Sequence, residues 1–482
     1  MTETTLSYRS EIAAPAADVL RWHSNPGAFE RLTPPWMDVR VLDGSGGIEP
    51  GHWKRLRVGV GPLGVPWTLV HHAIDDGTGF VDEQTDGPFA SWRHEHRFSS
   101  DGPERSVLED RISYRLPFGA AGQLVVGGQF EGRLNELFRF RHARTKLDLA
   151  RHAGAGLARP QRIAISGASG LIGSQLVPFL RTGGHDVARL VRGRPSAGDE
   201  IAWDPAGGRI DAASLEGMDA VIHLAGASIA GGRWTNARKT AILSSRLQGT
   251  SLLAETLARL QRPPRVLISA SGIGYYGDAG STPLTEESLP GTGFLADVCR
   301  AWEEATAPAA ASGIRVVLPR FGIVLSGRGG LLARLALPFR FGLGGPLGSG
   351  EQFMSWIALD DLLGVLLRAI ADDRLAGPVN AVAPHAVSNR VFAETLGRVL
   401  GRPTILRTPA RALRLVAGEL ADELILASQL ARPAHLEDVG FSFAFPTLED
   451  ALRHELGRSG GNRDAEIPAT SLRSAAQPGH SR

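Results

Sequence analysis

The chain of 482 residues is longer than one hydrophobic core normally serves, which predicts two or more domains. With 43% hydrophobic and 21% charged residues, the composition excludes a disordered or fibrous protein, and no stretch approaches the roughly 20 apolar residues that a membrane-spanning helix needs. The 52 basic and 50 acidic residues nearly cancel, and without a clustered basic stripe we expect no nucleic-acid partner.

The first segment, residues 1–150, is predicted to be rich in β-strands. Apolar and polar residues alternate over 6–10, 53–58 and 67–73, and the runs 91–98 and 106–116 are again strand-like. A short helical region is expected around 16–32, and Phe130, Leu134, Leu137, Phe138 and Phe140 approximate helical spacing. This order of elements predicts a curved sheet that grips a long final helix, with space for a ligand between them.

That element order, together with the stretch FRFRHART at Phe138–Thr145, resembles the START-like (SRPBCC, polyketide-cyclase-related) helix-grip family. The resemblance implies an α+β domain that encloses an apolar cavity for a hydrophobic ligand. His94 and His96 lie on one face of a predicted strand, but no third ligand is evident at a sensible spacing. We therefore predict no metal there and expect a cavity-lining or solvated pair.

Beyond this segment the pattern changes. Residues 151–160 are rich in Gly and Ala and predict a linker, and from Gln161 strands and helices alternate, which is typical of a parallel α/β sheet. The predicted fold is α/β: a Rossmann doubly wound parallel sheet over 161–400 and a small C-terminal α+β cap over 401–457, preceded by the α+β helix-grip domain. Residues 409–455 are expected to form helices and a short Phe-rich strand, and residues 458–482 a disordered tail.

The start of the α/β part contains a glycine fingerprint, SGASGLIG, between a predicted strand and a predicted helix. Gly167 permits a tight turn, Gly170 lets backbone amides approach a diphosphate, and Gly173 allows the helix to pack closely on the strand. We expect the phosphates of a dinucleotide at the helix N-terminus, against the stretch that also contains Ser169, Leu171 and Ile172. A glycine-rich turn without a ligand is the alternative.

The end of the second strand bears on which dinucleotide binds. A site for NAD places a carboxylate about 20 residues beyond the first glycines, to bind the ribose hydroxyls. Here that place holds Arg192, followed by Arg194, and no acidic residue occurs between Val187 and Gly198. Since a guanidinium binds a 2′-phosphate well, the sequence predicts NADP(H), the alternative being two solvated loop arginines.

Longer motifs extend the resemblance over Gln161–Leu456. GGRWTNARKTAILSSRLQGT, ISASGIGYYGD, GFLADVCRAWE and LPFRFGLGGPLGSGEQFMSWI are similar to those of atypical extended short-chain dehydrogenase/reductases, the NAD-dependent epimerase/dehydratase-like proteins with a C-terminal domain of unknown function. The resemblance implies that Leu224, Ala225 and Gly226 contact the adenosine and ribose, and that the turn 318–322 lies near the nicotinamide. It also implies a phosphate or ribose contact for Arg246, which could instead be a surface helix residue.

The catalytic residues of that superfamily are incomplete in this chain. Its general acid/base is a Tyr with Lys four residues later, beside a Ser that holds the carbonyl oxygen. No tyrosine here has Lys at that spacing, and the expected segment carries Phe294 and Val298 instead. By resemblance Ser271 matches the catalytic Ser, and Tyr275 or Tyr276 could supply a phenol. Each of the three could instead only pack beside the cofactor.

The sequence as a whole predicts an NADP(H)-dependent oxidoreductase or epimerase-like enzyme with an unknown small-molecule substrate. Loss of the Tyr/Lys pair leaves a non-catalytic NADP(H)-binding sensor as an alternative, and the N-terminal domain could itself be the functional part as a binder of a hydrophobic ligand. The first residues lack the features of a signal peptide, and the only cysteine, Cys299, cannot form an internal disulfide. A cytoplasmic location is therefore expected.

Overall fold

The computed structural model describes residues 3–59, 64–74, 77–117 and 119–458. The predicted C-terminal tail lies outside the described residues, apart from Arg458. The chain forms two compact units: residues up to Ala153 belong to the first, and Gly154–Arg181 with His185–Arg458 belong to the second. Within the described part, no helix combines the length and the apolar character that crossing a membrane requires.

The first unit contains one antiparallel sheet of seven strands in the order β1-β7-β6-β5-β4-β3-β2. Its strands are β1 (Thr4–Ile12), β2 (Val39–Gly44), β3 (Trp53–Val58), β4 (Val65–Ala73), β5 (Gly79–Asp86), β6 (Ser91–Ser100) and β7 (Ser106–Arg115), and its helices are α1 (Ala16–Ser24), α2 (Ala28–Leu32) and α3 (Gly119–Ala155). Alternating side chains bury one face of the sheet, where Tyr8 of β1 stacks on Phe138 of α3 at 4.5 Å between ring centroids. This is the predicted helix-grip arrangement, although α3 extends to Ala155, into the predicted linker.

The second unit is built on a nine-stranded sheet in the order β11-β10-β9-β8-β12-β13-β16-β14, with β20 also paired to β16. The strands are β8 (Arg162–Ser166), β9 (Asp186–Arg192), β10 (Glu200–Asp204), β11 (Arg209–Ile210), β12 (Ala220–His223), β13 (Val266–Ser269), β14 (Ser271–Gly272), β16 (Arg315–Phe321) and β20 (Gly377–Ala381). All these pairings are parallel except that of β10 with β11. The order reverses between β8 and β12, which defines the doubly wound Rossmann fold and puts the ligand crevice beyond the carboxyl ends of these strands.

Helices cover both faces of this sheet. They are α4 (Gly173–Thr182), α5 (Asn236–Leu257), α6 (Phe294–Glu304), α7 (Ala307–Ala311) and α9 (Leu359–Ala371). Because the central strands are covered on both faces, β12 and β13 are buried at every position, and Ile163, Ile222 and Ile268 form a continuous core with α4 and α9.

The remaining elements form a smaller region beside the sheet. They are β15 (Pro283–Leu284), β17 (Ile323–Leu325), β18 (Phe353–Met354), β19 (Trp356–Ala358), β21 (Val387–Ser388) and β22 (Leu430–Ala431), with α8 (Gly330–Arg340), α10 (Asn389–Leu400), α11 (Ala410–Ala417), α12 (Ala434–Asp438) and α13 (Leu448–Leu456). These strands pair as β15–β22, β17–β19 and β18–β21.

The predicted Phe-rich strand near the C-terminus is wrong. Residues 441–445 have no strand pairing, and the strand of this region is β22 instead. The amides of Ala444 and Phe445 donate to the carboxylate of Asp361 at 2.8 and 3.0 Å. A side chain therefore satisfies the backbone groups that a neighbouring strand would otherwise bind.

Candidate functional site

The glycine turn joins β8 to α4 at the carboxyl edge of the sheet. Gly167 has φ +73°, and a Cβ there would lie 2.7 Å from the carbonyl carbon of Leu224. A Cβ on Gly173 would lie 2.3 Å from the Gly167 oxygen, so these two glycines permit the close packing of strand, turn and helix. At Gly170, which is exposed, a Cβ would meet only the Gly167 oxygen, at 3.2 Å. The space over the turn, at a helix N-terminus, fits a diphosphate.

The neighbouring strand end is tied to this turn by a buried histidine. His223, the last residue of β12, has Nδ1 2.6 Å from Oγ of Ser166, which also accepts the amide of Leu224 at 3.2 Å. Burial, with a smaller effect of Arg246, lowers the pKa of His223 to about 4, so its ring is neutral at pH 7. The Leu224–Gly226 stretch is thereby fixed beside the glycine turn, and its contact with the adenosine and ribose remains a prediction.

Two exposed arginines, Arg192 and Arg194, lie at the end of β9 and just beyond it, on the same edge of the sheet. β9 runs parallel to β8, and Arg192 is its last residue. Within the described part of the chain, the side chains of Arg192 and Arg194 make no ion pair and no hydrogen bond. Asp199, the first carboxylate after β9, instead binds Arg189 at 2.8 Å and Arg181. Both guanidinium groups are therefore available to an anion from solvent.

Arg246 is not a surface residue, so that alternative is wrong. It is buried on α5, where Nη1 donates to the carbonyl oxygens of Ala227 at 3.1 Å and Ile242 at 3.0 Å. A Cβ on Gly226 would lie 3.3 Å from its guanidinium carbon, which also lies 4.7 Å from the centre of the Trp302 ring. Arg246 therefore packs against the backbone of Gly226 and Ala227. Its contact with the cofactor remains a prediction.

A buried ion pair lies at the carboxyl ends of β14 and β16. Ser271 and Arg320 are neighbours in register, and both bind Glu303 of α6. The Ser271 hydroxyl donates to Oε1 of Glu303 at 2.7 Å, and Arg320 donates to both carboxylate oxygens at 2.8 Å. Burial lowers the pKa of Arg320, but the hydrogen bond to Glu303 and the contact with Tyr276 outweigh this and raise it. The Arg320 guanidinium is thus charged.

The two tyrosines of the following 3-10 turn have different surroundings. Tyr276 is buried, and its hydroxyl accepts from Nη1 of Arg320 at 2.9 Å and lies 2.7 Å from Oδ1 of Asn380. Burial raises the pKa of Tyr276, which keeps the phenol protonated. Tyr275 is half-buried under the Arg320 guanidinium, and its hydroxyl has no hydrogen-bond partner among the described residues. The structure therefore argues against Tyr276 and in favour of Tyr275 as a phenol for a substrate.

Sequence reasoning missed Glu303, the residue that connects Ser271 with Arg320. It lies near the end of α6, in the motif GFLADVCRAWE. Its partner Arg320 lies in the segment 318–322 that resemblance places near the nicotinamide, which is the end of strand β16 and not the predicted turn. The available signal was Arg320, a guanidinium within the largely apolar run VVLPRFGIVL, because a buried charge is normally paired.

The C-terminal region completes the frame of this site. The carboxylate of Glu423 accepts the amides of Phe294 and Leu295 at 2.9 and 2.8 Å, which caps the N-terminus of α6. Asn380, which holds Tyr276, donates through Nδ2 to the carbonyl oxygen of Arg432 at 2.9 Å. Residues after 420 thus position both the helix of Glu303 and the phenol of Tyr276.

The first unit holds a cavity of about 650 Å³ between its sheet and α3. Its walls are mainly apolar, with Leu56, Trp67, Phe89, Trp92, Leu134 and Phe138 among them, and His71, Asp82, His94 and His96 are also exposed to it. Burial lowers the pKa of His94 to about 4, whereas Asp110 overcomes the effect of burial and raises the pKa of His96 to about 9. The structure thus contains the predicted apolar cavity, with a cluster of His and Asp on its wall.

A parallel sheet of this order, with a glycine turn from its first strand to its first helix, defines a Rossmann-type nicotinamide dinucleotide-binding protein. Three family models match the chain: the NAD dependent epimerase/dehydratase family over residues 163–382, a domain of unknown function (DUF1731) over 408–455, and the polyketide cyclase / dehydrase and lipid transport family over 12–140. The chain belongs to the NAD dependent epimerase/dehydratase family, as an atypical short-chain dehydrogenase/reductase with a polyketide-cyclase-related domain before it.

Relatives support this assignment over different lengths of the chain. An epimerase family protein of Mycobacterium bovis is 45% identical over 298 residues, which are 62% of this chain and 98% of that protein. A crystal structure of a nucleoside-diphosphate sugar epimerase from Corynebacterium glutamicum, 34% identical, covers 94% of this chain and 90% of its own, with a TM-score of 0.77. The human epimerase family protein SDR39U1, solved with NADPH, is 34% identical and covers 61% and 99%, with a TM-score of 0.57.

Proposed function

We propose that this protein is an NADP(H)-dependent oxidoreductase or epimerase-like enzyme that acts on a small molecule. The observation that carries the proposal is that the open glycine turn, with exposed Arg192 beside it, shares one edge of the sheet with the Ser271–Glu303–Arg320 cluster. The human relative solved with NADPH supports the choice of cofactor.

In this proposal each part of the cofactor has its own residues. The turn residues Ser169, Gly170, Leu171 and Ile172 hold the diphosphate at the N-terminus of α4, and Arg192 binds the 2′-phosphate. The stretch Leu224–Gly226 packs against the adenosine and its ribose, with Arg246 behind it. When bound, the nicotinamide supplies hydride transfer.

The residues that act on the substrate are Ser271 and Tyr275. The Ser271 hydroxyl donates to Glu303, which leaves its oxygen lone pairs as acceptors for a substrate hydroxyl. The hydroxyl of Tyr275 is available as a donor or acceptor for a proton, while Arg320 holds its ring from one face. Tyr276 serves as a positioning residue, because its phenol lies between Arg320 and Asn380.

Calorimetry on the full chain tests the cofactor. Wild-type protein is expected to bind NADPH more tightly than NADH, and Arg192→Ala is expected to weaken NADPH binding by about tenfold to 100-fold, the worth of one charged hydrogen bond, with little change for NADH. Arg259→Ala, which removes an exposed arginine away from this strand end, is the control and is expected to leave the binding of both cofactors unchanged. Equal loss for the two cofactors would contradict the proposal, as would no uptake of either.

Turnover is tested separately, on a panel of carbonyl compounds and nucleotide sugars. We expect hydride exchange with at least one member of the panel, and that this exchange depends on Tyr275. A protein that binds NADPH tightly but exchanges no hydride with any compound would be a binding protein instead of an enzyme.

We further propose that the cavity of the first unit takes a hydrophobic ligand. Its volume of about 650 Å³ and its aromatic walls are suited to such a molecule. A fluorescent fatty acid is expected to bind there, and Leu134→Arg, which puts a charge into the cavity wall, is expected to abolish binding. Unchanged binding by this variant would contradict the assignment.

A further inference from the structure

Three side chains of the metal-ligating kind meet on the wall of this cavity. Asp82 of β5 and His94 and His96 of β6 each offer one ligand atom that lies within 4.8 Å of the other two. Asp82 is opposite His94 in the register of the two strands, so the three share one patch of the buried face. We propose that they bind a divalent transition-metal ion such as Zn²⁺, with an open coordination position towards the cavity.

The two imidazoles are oriented by one carboxylate behind them. Asp110 of β7 has Oδ1 2.9 Å from Nε2 of His94 and 2.7 Å from Nδ1 of His96. Nε2 of His96, which lies 3.4 Å from Oδ2 of Asp82, faces the site, and a bound metal ion would replace the proton on this ring. A carboxylate behind a histidine ligand is a recurrent feature of metal sites in proteins. Phe80 stacks on the His96 ring at 4.2 Å, which further restricts its rotation.

A separate observation, a nitrogen of His71 that is unpaired within the described part of the chain, indicates a ligand at this cavity wall. His71 has its Nδ1 2.7 Å from Oδ1 of Asp82, which fixes the carboxylate with Oδ2 facing His96 at 3.4 Å. The other nitrogen of His71, Nε2, is buried and has no hydrogen-bond partner among the described residues, although His71 lines the cavity. A buried polar atom without a partner is costly, and an oxygen-bearing ligand in the cavity would satisfy it.

The ligand set determines what the site would do. Two imidazoles and a carboxylate suit Zn²⁺ or Fe²⁺ and leave coordination positions open, as in catalytic metal sites. The apolar walls around them select a molecule with an apolar body. The occupant is therefore an apolar molecule with an oxygen donor, which deepens the proposal of a hydrophobic ligand for this cavity.

Spacing along the chain did not reveal this site, because Asp82 comes from the neighbouring strand. A second group of similar composition, Asp360, His454 and Glu455, lies in the other unit. There Glu455 accepts the amide of Gly327 at 2.9 Å, and the group contains one imidazole instead of two. This second group supplies a matched control.

The test uses full-length protein treated with a chelator and titrated with ZnCl₂ by calorimetry, and with Co²⁺ by visible absorption. We expect one equivalent of metal per chain. Asp82→Asn is expected to weaken binding by at least about 100-fold and Asp110→Asn by about tenfold to 100-fold, since Asp110 acts through the rings. His454→Gln is expected to leave binding unchanged. No stoichiometric uptake, or uptake lost with His454→Gln and kept with Asp82→Asn, would overturn the site.

A measurement on wild-type protein covers the case in which a variant fails to fold. X-ray absorption of the Zn²⁺-loaded chain is expected to show two imidazoles and oxygen in the first shell, whereas one imidazole would assign the metal to the second group and refute the proposal. The open position has its own readout: Zn²⁺ is expected to tighten binding of a fluorescent fatty acid at least tenfold, but not of its methyl ester. An equal effect of Zn²⁺ on the fatty acid and on its methyl ester would refute the open position. NADPH binding, measured on the same protein, reports independently on the proposed cofactor site of the second unit.

Discussion

The guanidinium carbon of Arg320 lies 3.5 Å from the centre of the Tyr275 ring. The same guanidinium donates to the hydroxyl of the next residue, Tyr276, at 2.9 Å. Two adjacent tyrosines therefore contact one guanidinium in different ways: Tyr275 through the face of its ring and Tyr276 through its hydroxyl oxygen. This separates a phenol that is available to a substrate from one that belongs to the protein interior.

Removing each hydroxyl should consequently have a different effect. Tyr276→Phe removes the donor to Oδ1 of buried Asn380 and one acceptor of the Arg320 guanidinium, and it is expected to cost about 1–3 kcal/mol of unfolding free energy. Tyr275→Phe is expected to change stability by less than about 0.5 kcal/mol but to lower turnover about 100-fold or more, the contribution of a general acid. Denaturant unfolding and hydride exchange on both variants check this. A stable Tyr276→Phe beside an unstable Tyr275→Phe would reverse the assignment.

The glycine turn gives a second pair of variants. Gly173→Ala puts a Cβ 2.3 Å from the Gly167 oxygen and is expected to lower the unfolding temperature clearly, because backbone would have to move. Gly170→Ala meets only one atom, at 3.2 Å, and is expected to fold nearly as the wild type, while its methyl group would block the proposed diphosphate site. NADPH binding measured by calorimetry should fall at least tenfold in the folded Gly170→Ala protein. Unchanged NADPH binding there would show that the cofactor lies elsewhere.

The Glu303–Arg320 pair should matter far more to stability than a surface pair of the same chemistry. Glu303→Gln leaves the guanidinium of Arg320, whose side chain is 3% exposed, without its charged partner, and we expect a loss of about 3–5 kcal/mol. Glu351→Gln removes the partner of Arg390, where the two side chains are 71% and 47% exposed, and is expected to cost less than about 0.5 kcal/mol. Thermal unfolding of the two variants compares them directly, and similar losses would contradict the importance of burial here.

His223 predicts a specific pH dependence. Its pKa of about 4 in the folded chain is below the ordinary value of about 6.5, so the unfolded chain takes up a proton first as the pH falls. The stability associated with His223 is complete above about pH 6.5 and decreases by up to about 1.4 kcal/mol per pH unit between that value and about 4. In NMR spectra of ¹³Cε1-labelled histidines, the signal that is missing in His223→Gln identifies the His223 ring. This signal is expected not to titrate between pH 8 and 5. A midpoint near 6.5 for that ring would refute the prediction.

The parts of the fold that the sequence predicted are those with local signals. The turn at Gly167–Gly173 lies between a continuous apolar strand and a helix, and β3 was predicted at its observed bounds from alternation alone. The apolar cavity followed from the order of elements. Each of these depends on residues that are close together in the sequence.

The features that the sequence did not predict depend on contacts between distant segments. Glu303 and Arg320 meet only when α6 packs beside β16, and Asp82 joins His94 only through the register of β5 with β6. The Phe-rich residues 441–445 alternate like a strand, but Asp361, far away in the chain, binds their amides. Such tertiary contacts override local preference.

The cap that Glu423 places on α6 makes this helix depend on the C-terminal segment of the chain. Glu423 belongs to the region matched by the domain of unknown function, whereas the helix that it caps belongs to the region matched by the epimerase/dehydratase family. The two matched regions therefore share one structural unit. A chain that lost this segment would keep its glycine turn but lose the cap on the helix that carries Glu303. We therefore expect a substitution at Glu423 to disturb α6 as well.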